Sequence, residues 1–277
     1  MSPALLLLLV ATPLRVGVTL HPYYSWTAEV TRGLEVEVVP VVPGDLDIGS
    51  YQPRPQEVAL LGTLDALVVN GLGHDAFIDE MVRASGNRRL LRIRVNDGTP
   101  LLVTQGHLEF NSHTFLSLGN GVIQCHVIAR ALASLKPEWR DTLERNAAAY
   151  AKRLRRLRAQ AVSALAFAKE RRVITVHDGY SYLLQELGLS LAGVVEPAHG
   201  VLPTARELSD IVALVRAQDV RVVLSEESFP EAFVAELRSA GAKVVVVSHI
   251  ATGVFSNERF EAEMTANLAT IVRALTE

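Results

Sequence analysis

PEWRDTLERNAAAYAKRLRRLRAQAVSALAFAK, residues 137–169, is the stretch on which the fold turns. Pro137 suits a first helical turn, where its missing N–H costs nothing. Glu138 and Asp141 put negative charge where the helix dipole favours it. Leu143, Ala147, Tyr150, Leu154, Leu157, Ala161, Ala164 and Ala168 then recur in steps of four and three, one apolar stripe along a helix. Arg145, Lys152, Arg153, Arg155, Arg156 and Arg158 fall on the other faces. No Gly or Pro interrupts the run, so roughly 33 residues at about 1.5 Å each give a rod near 50 Å long. Such a rod is longer than one small domain and sits mid-sequence. Its small alanines, without clean flanking charge pairs, favour a spine packed on its own two lobes over a surface helix or a coiled-coil seam.

Working outward, both flanks alternate strands and helices. Before the rod, strands are expected over 14–20, 35–42, 65–70 and 90–95, with a short one at 101–103. Helices are expected over 21–32, 55–61, 74–84 and 118–135. After it, strands are expected over 172–176, 191–195, 221–224 and 243–247. Helices are expected over 180–187, 204–217 (with Thr204 and Glu207 as a capping box), 230–240 and 257–275. The expected fold is α/β: an N-terminal lobe (14–136), a long linking helix (137–170) and a C-terminal lobe (171–277). Each lobe is a parallel sheet flanked by helices. No residue-level repeat relates the halves.

A chain of 277 residues, 49% hydrophobic and 21% charged, can bury two ordinary cores. Its net charge of −3 gives no reason to expect nucleic acid or an anionic membrane surface as partner. The single Cys125 excludes an internal disulfide and reads as core packing within an apolar helix. Residues 1–13 hold a short apolar run, Ala4 to Val10, too short to span a bilayer. It reads as the remnant of an export signal, with a buried strand as the alternative.

Histidines carry the chemistry. Four of the eight, His21, His74, His177 and His249, directly follow an expected strand or its turn. In open parallel sheets ligands bind outside the carboxyl ends of the strands, so facing lobes would aim these side chains into one cleft. His113, in a polar loop before a helix, is compatible with that cleft. A lone histidine in such a place is usually a hydrogen-bonded core or surface residue. Several at equivalent strand ends shift the reading towards a metal. Glu226 and Glu227 also follow a strand, and one of them could be a ligand, a base beside the metal or a helix-capping charge. There is no G-x-S-x-G elbow, Walker loop or H-E-x-x-H motif. Asn70-Gly71-Leu72-Gly73 is only half of a dinucleotide turn.

Four segments, Asn70-Gly71-Leu72-Gly73, Asn111-Ser112-His113-Thr114-Phe115-Leu116, His177-Asp178-Gly179-Tyr180 and Leu224-Ser225-Glu226, together with the central helix, resemble the zinc- and manganese-binding solute receptors of bacterial ABC transporters. The resemblance runs from about Leu14 to the end. It implies two lobes bridged by one rigid helix, with metal between them. Two departures stand out. Gly49, ahead of Tyr51-Gln52-Pro53, occupies the place of the family's first histidine, and His74 is expected to replace it. His249-Ile250-Ala251-Thr252-Gly253 stands where the family has a late aspartate turn. The ligand set so implied is His74, His113, His177 and His249, with Glu226 in reserve. His107 is a candidate for metal capture, and His199 a loop residue near the cleft mouth.

Four imidazoles suit Zn²⁺, whereas Mn²⁺ prefers oxygen donors and suits the set less well; copper or nickel would also bind imidazoles. The resemblance thus implies an extracytoplasmic or periplasmic, monomeric receptor without catalytic activity. It would capture zinc and deliver it to an ABC transporter permease. The alternatives are a metal-dependent hydrolase using Glu226 as base, or a receptor of the same architecture for an iron chelate or corrinoid. An aromatic content of 6% argues against the last.

Overall fold

A computed structural model describes residues 12–46, 51–104, 108–196, 201–218 and 220–277. Burial follows strand position. In the N-terminal lobe, β1 (Leu14–Val18) and β3 (Ala66–Val69) are buried at every residue but Arg15. β2 (Val36–Pro40) and β4 (Leu91–Arg94) are only partly covered. The order is β2-β1-β3-β4, all parallel, so the covered strands are central and the half-exposed ones lie at the edges. The C-terminal lobe repeats this with β5 (Arg172–Thr175), β6 (Ser190–Val194), β7 (Val222–Ser225) and β8 (Lys243–Val246), ordered β6-β5-β7-β8. Each sheet therefore has its topological switch between its two central strands, where a ligand crevice opens at the strands' carboxyl ends.

Helices α1 (His21–Val30), α2 (Pro55–Leu61), α3 (Ile78–Ser85) and α4 (Leu118–Leu135) belong to the first half. The rod is α5 (Arg140–Ala164), continued by a 3-10 turn at each end, Pro137–Trp139 and Leu165–Phe167. Helices α6 (Ser181–Glu186), α7 (Ala205–Gln218), α8 (Glu231–Ser239) and α9 (Arg259–Thr276) follow. Thr204 and Glu207 form the expected capping box, with the Thr204 N–H donating to Glu207 Oε2 at 2.8 Å and the Glu207 N–H to Thr204 Oγ1 at 3.3 Å.

Three expectations need correction. Residues 101–103 form no strand of the sheet; Val103 makes one antiparallel bridge to Phe110. The helix expected from His74 begins only at Ile78, because residues 74–77 are spent on a turn. On the rod, Leu143, Ala147, Tyr150, Leu154 and Ala161 are buried as expected, but Ala164 faces solvent and Leu165 takes its place inward. The step after Ala161 is therefore four, not three, and three more residues lead to the buried Ala168. The N-terminal run 1–10, Gly49, His107 and His199 lie outside the described residues.

The rod is not the lobes' one connection. A single apolar core runs from Val16 and Val68 through Leu143, Tyr150 and Leu154 to Leu183, Leu224 and Met264, and a smaller one lies on the outer side of the second sheet. α9 returns to the N-terminal lobe, where Phe260 packs edge-on against Trp26 with centroids 4.9 Å apart. Arg153 is no solvated charge. It donates to Glu29 of α1 at 2.6 Å and to Glu261 of α9 at 2.9 Å, while its guanidinium lies 4.6 Å from the centre of the Tyr150 ring. Glu186 of α6 crosses to cap α4, accepting from the Leu118 and Gly119 N–H groups at 2.8 and 2.9 Å.

Replacing Arg153 tests how firmly these straps hold. Arg153→Met should leave the buried Glu29 carboxylate with Arg32 as its remaining cation and lower unfolding stability by about 1.5–3 kcal/mol in urea titrations. A loss below about 0.5 kcal/mol would mark Arg153 as an ordinary surface charge.

Candidate metal centre

Four histidines converge where the carboxyl ends of the two sheets face each other, each delivered by its own local device. After β3, the buried Asn70 organises the turn: its Oδ1 accepts the Leu72 N–H at 3.0 Å, and its Nδ2 donates to Tyr23 Oη and to the Ser112 carbonyl. Asp75 closes it, accepting from the Asn70 N–H and Thr19 Oγ1, both at 2.7 Å. Burial raises the Asp75 carboxyl above its ordinary range despite these donors. Gly71 and Gly73 have φ of 77° and 91°, a chain path that favours glycine. The Asn-Gly-Leu-Gly turn thus presents His74, whose Nδ1 lies 3.2 Å from Ser112 Oγ.

His113 is set by the buried Asn111. The Oδ1 of Asn111 accepts the His113 backbone N–H at 2.9 Å and lies 2.9 Å from His113 Nδ1. Asn111 also reaches the other lobe, donating to the Asp178 carbonyl at 2.6 Å, while Tyr182 Oη donates to the Asn111 carbonyl at 2.7 Å. With Nδ1–H directed at Asn111, His113 offers Nε2 as its ligand atom.

His177 follows β5 and is buried. Its Nδ1 lies 2.8 Å from Glu226 Oε1, and Tyr180 Oη donates to the same oxygen at 2.9 Å. Burial would raise the Glu226 carboxyl, but the bond from His177 and the His249 and His177 charges outweigh it, holding it at about 2. The ring lies against Gly179, where an added Cβ would sit 2.3 Å from His177 Nε2. That contact explains the glycine of His-Asp-Gly-Tyr. His249 follows β8, and its neighbour Ser248 is gripped by Asn267 of α9, whose Oδ1 accepts the Ser248 N–H at 2.7 Å and whose Nδ2 donates to the Ser248 carbonyl at 2.8 Å.

His113, His177 and His249 offer ligand atoms within 4.8 Å of one another. The Nε2 atoms of His177 and His249 are 3.3 Å apart, about the spacing that two Zn–N bonds of about 2.0–2.1 Å subtend in a tetrahedron. His74 adjoins the triad by its ring, 5.0 Å from that of His113 and 6.4 Å from that of His249. The buried Phe115 ring packs against His74 and His249 at 4.9 and 5.6 Å, an apolar wall that keeps the local dielectric low. His21, the other strand-end histidine, is directed elsewhere: its Nε2 faces the Gly253 carbonyl.

Three supporting residues escaped the sequence reading. Tyr180 and Asn111 stood inside quoted motifs, but which side chain each would hold is a tertiary matter. Phe115 carried no chemical signal beyond its place in the histidine loop.

Comparison with known proteins identifies the family. Residues 16–274 match the family described as zinc-uptake complex component A, periplasmic. The structure of the solute-binding protein FpvC from Pseudomonas aeruginosa in complex with Mn²⁺ is 42% identical with a TM-score of 0.88, covering 95% of this chain and 98% of that one. FpvC in complex with Ni²⁺ is also 42% identical, covering 95% and 97%, with a TM-score of 0.87. A crystal structure of ZnuA is 25% identical with a TM-score of 0.83, over 95% of this chain and all of that one. The zinc-binding lipoprotein AdcA of Streptococcus pneumoniae serotype 4 is 23% identical over 250 residues, 85% of this chain but 50% of AdcA, so the chain spans half of that relative's length. This chain therefore belongs to the periplasmic zinc-uptake component A family, and is a divalent-metal solute-binding protein of the ABC-transporter class, not an enzyme.

Proposed function

We propose that this chain is an extracytoplasmic receptor that captures one zinc ion and passes it to an ABC transporter permease. His74 and His113 from the N-terminal lobe (14–136) and His177 and His249 from the C-terminal lobe (171–277) would be its ligands. The helix over 137–170 would hold the lobes in register, and the receptor would act as a monomer. The observation that carries the reading is the pair of Nε2 atoms 3.3 Å apart, one on a ring whose Nδ1 is engaged by Glu226. Such a carboxylate–imidazole pair raises the basicity of the ligand nitrogen and fixes its direction. Glu226 is then an orienting group, not a ligand.

An all-imidazole set favours zinc over manganese, which seeks oxygen donors. Nickel also binds imidazole well, and FpvC has been captured with both Mn²⁺ and Ni²⁺. Competition therefore has to be measured directly. Metal-free protein offered equal zinc, nickel and manganese should retain one equivalent of zinc, and preferential retention of manganese would reject the four-histidine set.

Each imidazole must be neutral to bind, against a reference pKa of about 6.5. Protons therefore compete with the ion, and zinc affinity should fall steeply from pH 7 to 5, with more than one proton taken up per ion released. An affinity that does not change over that range would contradict the ligand set. Glu226→Gln should keep one zinc per chain but weaken it about 10- to 100-fold at pH 7 in chelator competition. Unchanged affinity would remove Glu226 from the site's support.

A further inference from the structure

His21 enters α1 at the end of β1, and its ring lies flat on Phe255, centroids 3.9 Å apart and planes within 2°. Its Nε2 sits 2.9 Å from the Gly253 carbonyl. Beside it the Gly253 N–H donates to the Gly44 carbonyl at 2.5 Å, and Ser25 Oγ donates to the Ser256 carbonyl at 2.8 Å. His21, Ser25 and Gly44 belong to the N-terminal lobe; Gly253, Phe255 and Ser256 lie on the C-terminal loop that runs from His249 to α9. A Cβ at residue 44 would sit 2.3 Å from the Gly253 oxygen and 3.1 Å from the Phe255 ring, so the two backbones close only over a glycine.

Between this contact and His249 lies Ile250, buried, with φ of 57°. A β-branched residue reaches that left-handed region only under restraint from both sides. On one side Asn267 grips Ser248. On the other, the interlobe contacts hold residues 253–256.

We propose that His21, Phe255 and Gly44 form a clasp that keeps Ile250 strained and His249 turned into the metal site. His21 is thus a positioning residue for metal retention, outside the ligand set. The inference rests on the reading of His249 as a ligand. None of the clasp's bonds passes through an ion, so it holds the two lobes at their working separation before metal arrives. When it opens, Ile250 relaxes towards ordinary backbone angles and carries His249 away, which gives the ion an exit without separating the lobes.

The test compares the full chain with His21→Ala, Gly44→Ala, His21→Phe and His249→Ala. Zinc release into excess chelator is followed by stopped flow, and the visible spectrum of the Co²⁺-loaded protein reports the ligands. His21→Ala and Gly44→Ala should release zinc about tenfold faster, the scale of one lost hydrogen bond. Their Co²⁺ band positions should stay those of the parent, because the same imidazoles bind. His21→Phe, which keeps the stacking, should recover part of the slow release. His249→Ala should change both the spectrum and the rate. Parent-like release from His21→Ala and Gly44→Ala, beside fast release from His249→Ala, would overturn the clasp and leave the ligand reading standing. A parent-like spectrum and rate from His249→Ala would overturn the ligand reading and the inference with it.

Discussion

A metal ion shared between two lobes tolerates little error, because each donor must reach it within a few tenths of an ångström of about 2.0–2.1 Å. The frame of this chain carries ties that suit such a constraint. The apolar stripe of α5 supplies one element of it, continuous with the cores of both sheets. Arg153 ties α1 to α9 at the middle of the rod, and Glu186 crosses between the lobes to cap α4. On the reading proposed above, ion exchange in such a frame comes from loops, not from opening of the lobes.

The same economy governs the site. Asn111 and Glu226 each stand at the Nδ1 of a histidine, His113 and His177 respectively. Ser112 stands at the Nδ1 of His74. A ring so engaged loses its freedom to flip and turns its other nitrogen to the cleft. Asn111 and Tyr182 do this across the lobe boundary, so the second lobe helps to orient a histidine of the first. The centre and the interlobe contact are one construction.

Much of this was legible in the sequence, and the limits have physical causes. Strand and helix order followed from periodicity, and β3 against β4 shows the contrast between a central apolar run and an edge strand that alternates with charge. His74, His177 and His249 could be singled out because a residue after a parallel strand must emerge at the ligand-binding edge, whereas His113, in a polar loop before a helix, stood out through the resemblance of its motif. His21 satisfied the same rule yet meets Phe255, since the rule locates a residue without giving the direction of its side chain. Nothing in the sequence set Arg153 apart from the other basic residues of the rod, because its partners lie over a hundred positions away in the chain. The start of α3 was misplaced because the hydrogen bonds of Asp75 hold a turn there, and those bonds depend on Thr19 and Asn70 folding against it.

The central claim is that one ion sits between the lobes on nitrogen donors from both. A crystal of zinc-loaded protein, with anomalous data at the zinc edge, tests it most directly. The account predicts a single peak about 2.0–2.1 Å from Nε2 of His113, His177 and His249, with a nitrogen of His74 completing the tetrahedron. A peak held by residues of one lobe alone, or one with His74 more than about 4 Å away, against that expected bond length, would contradict it.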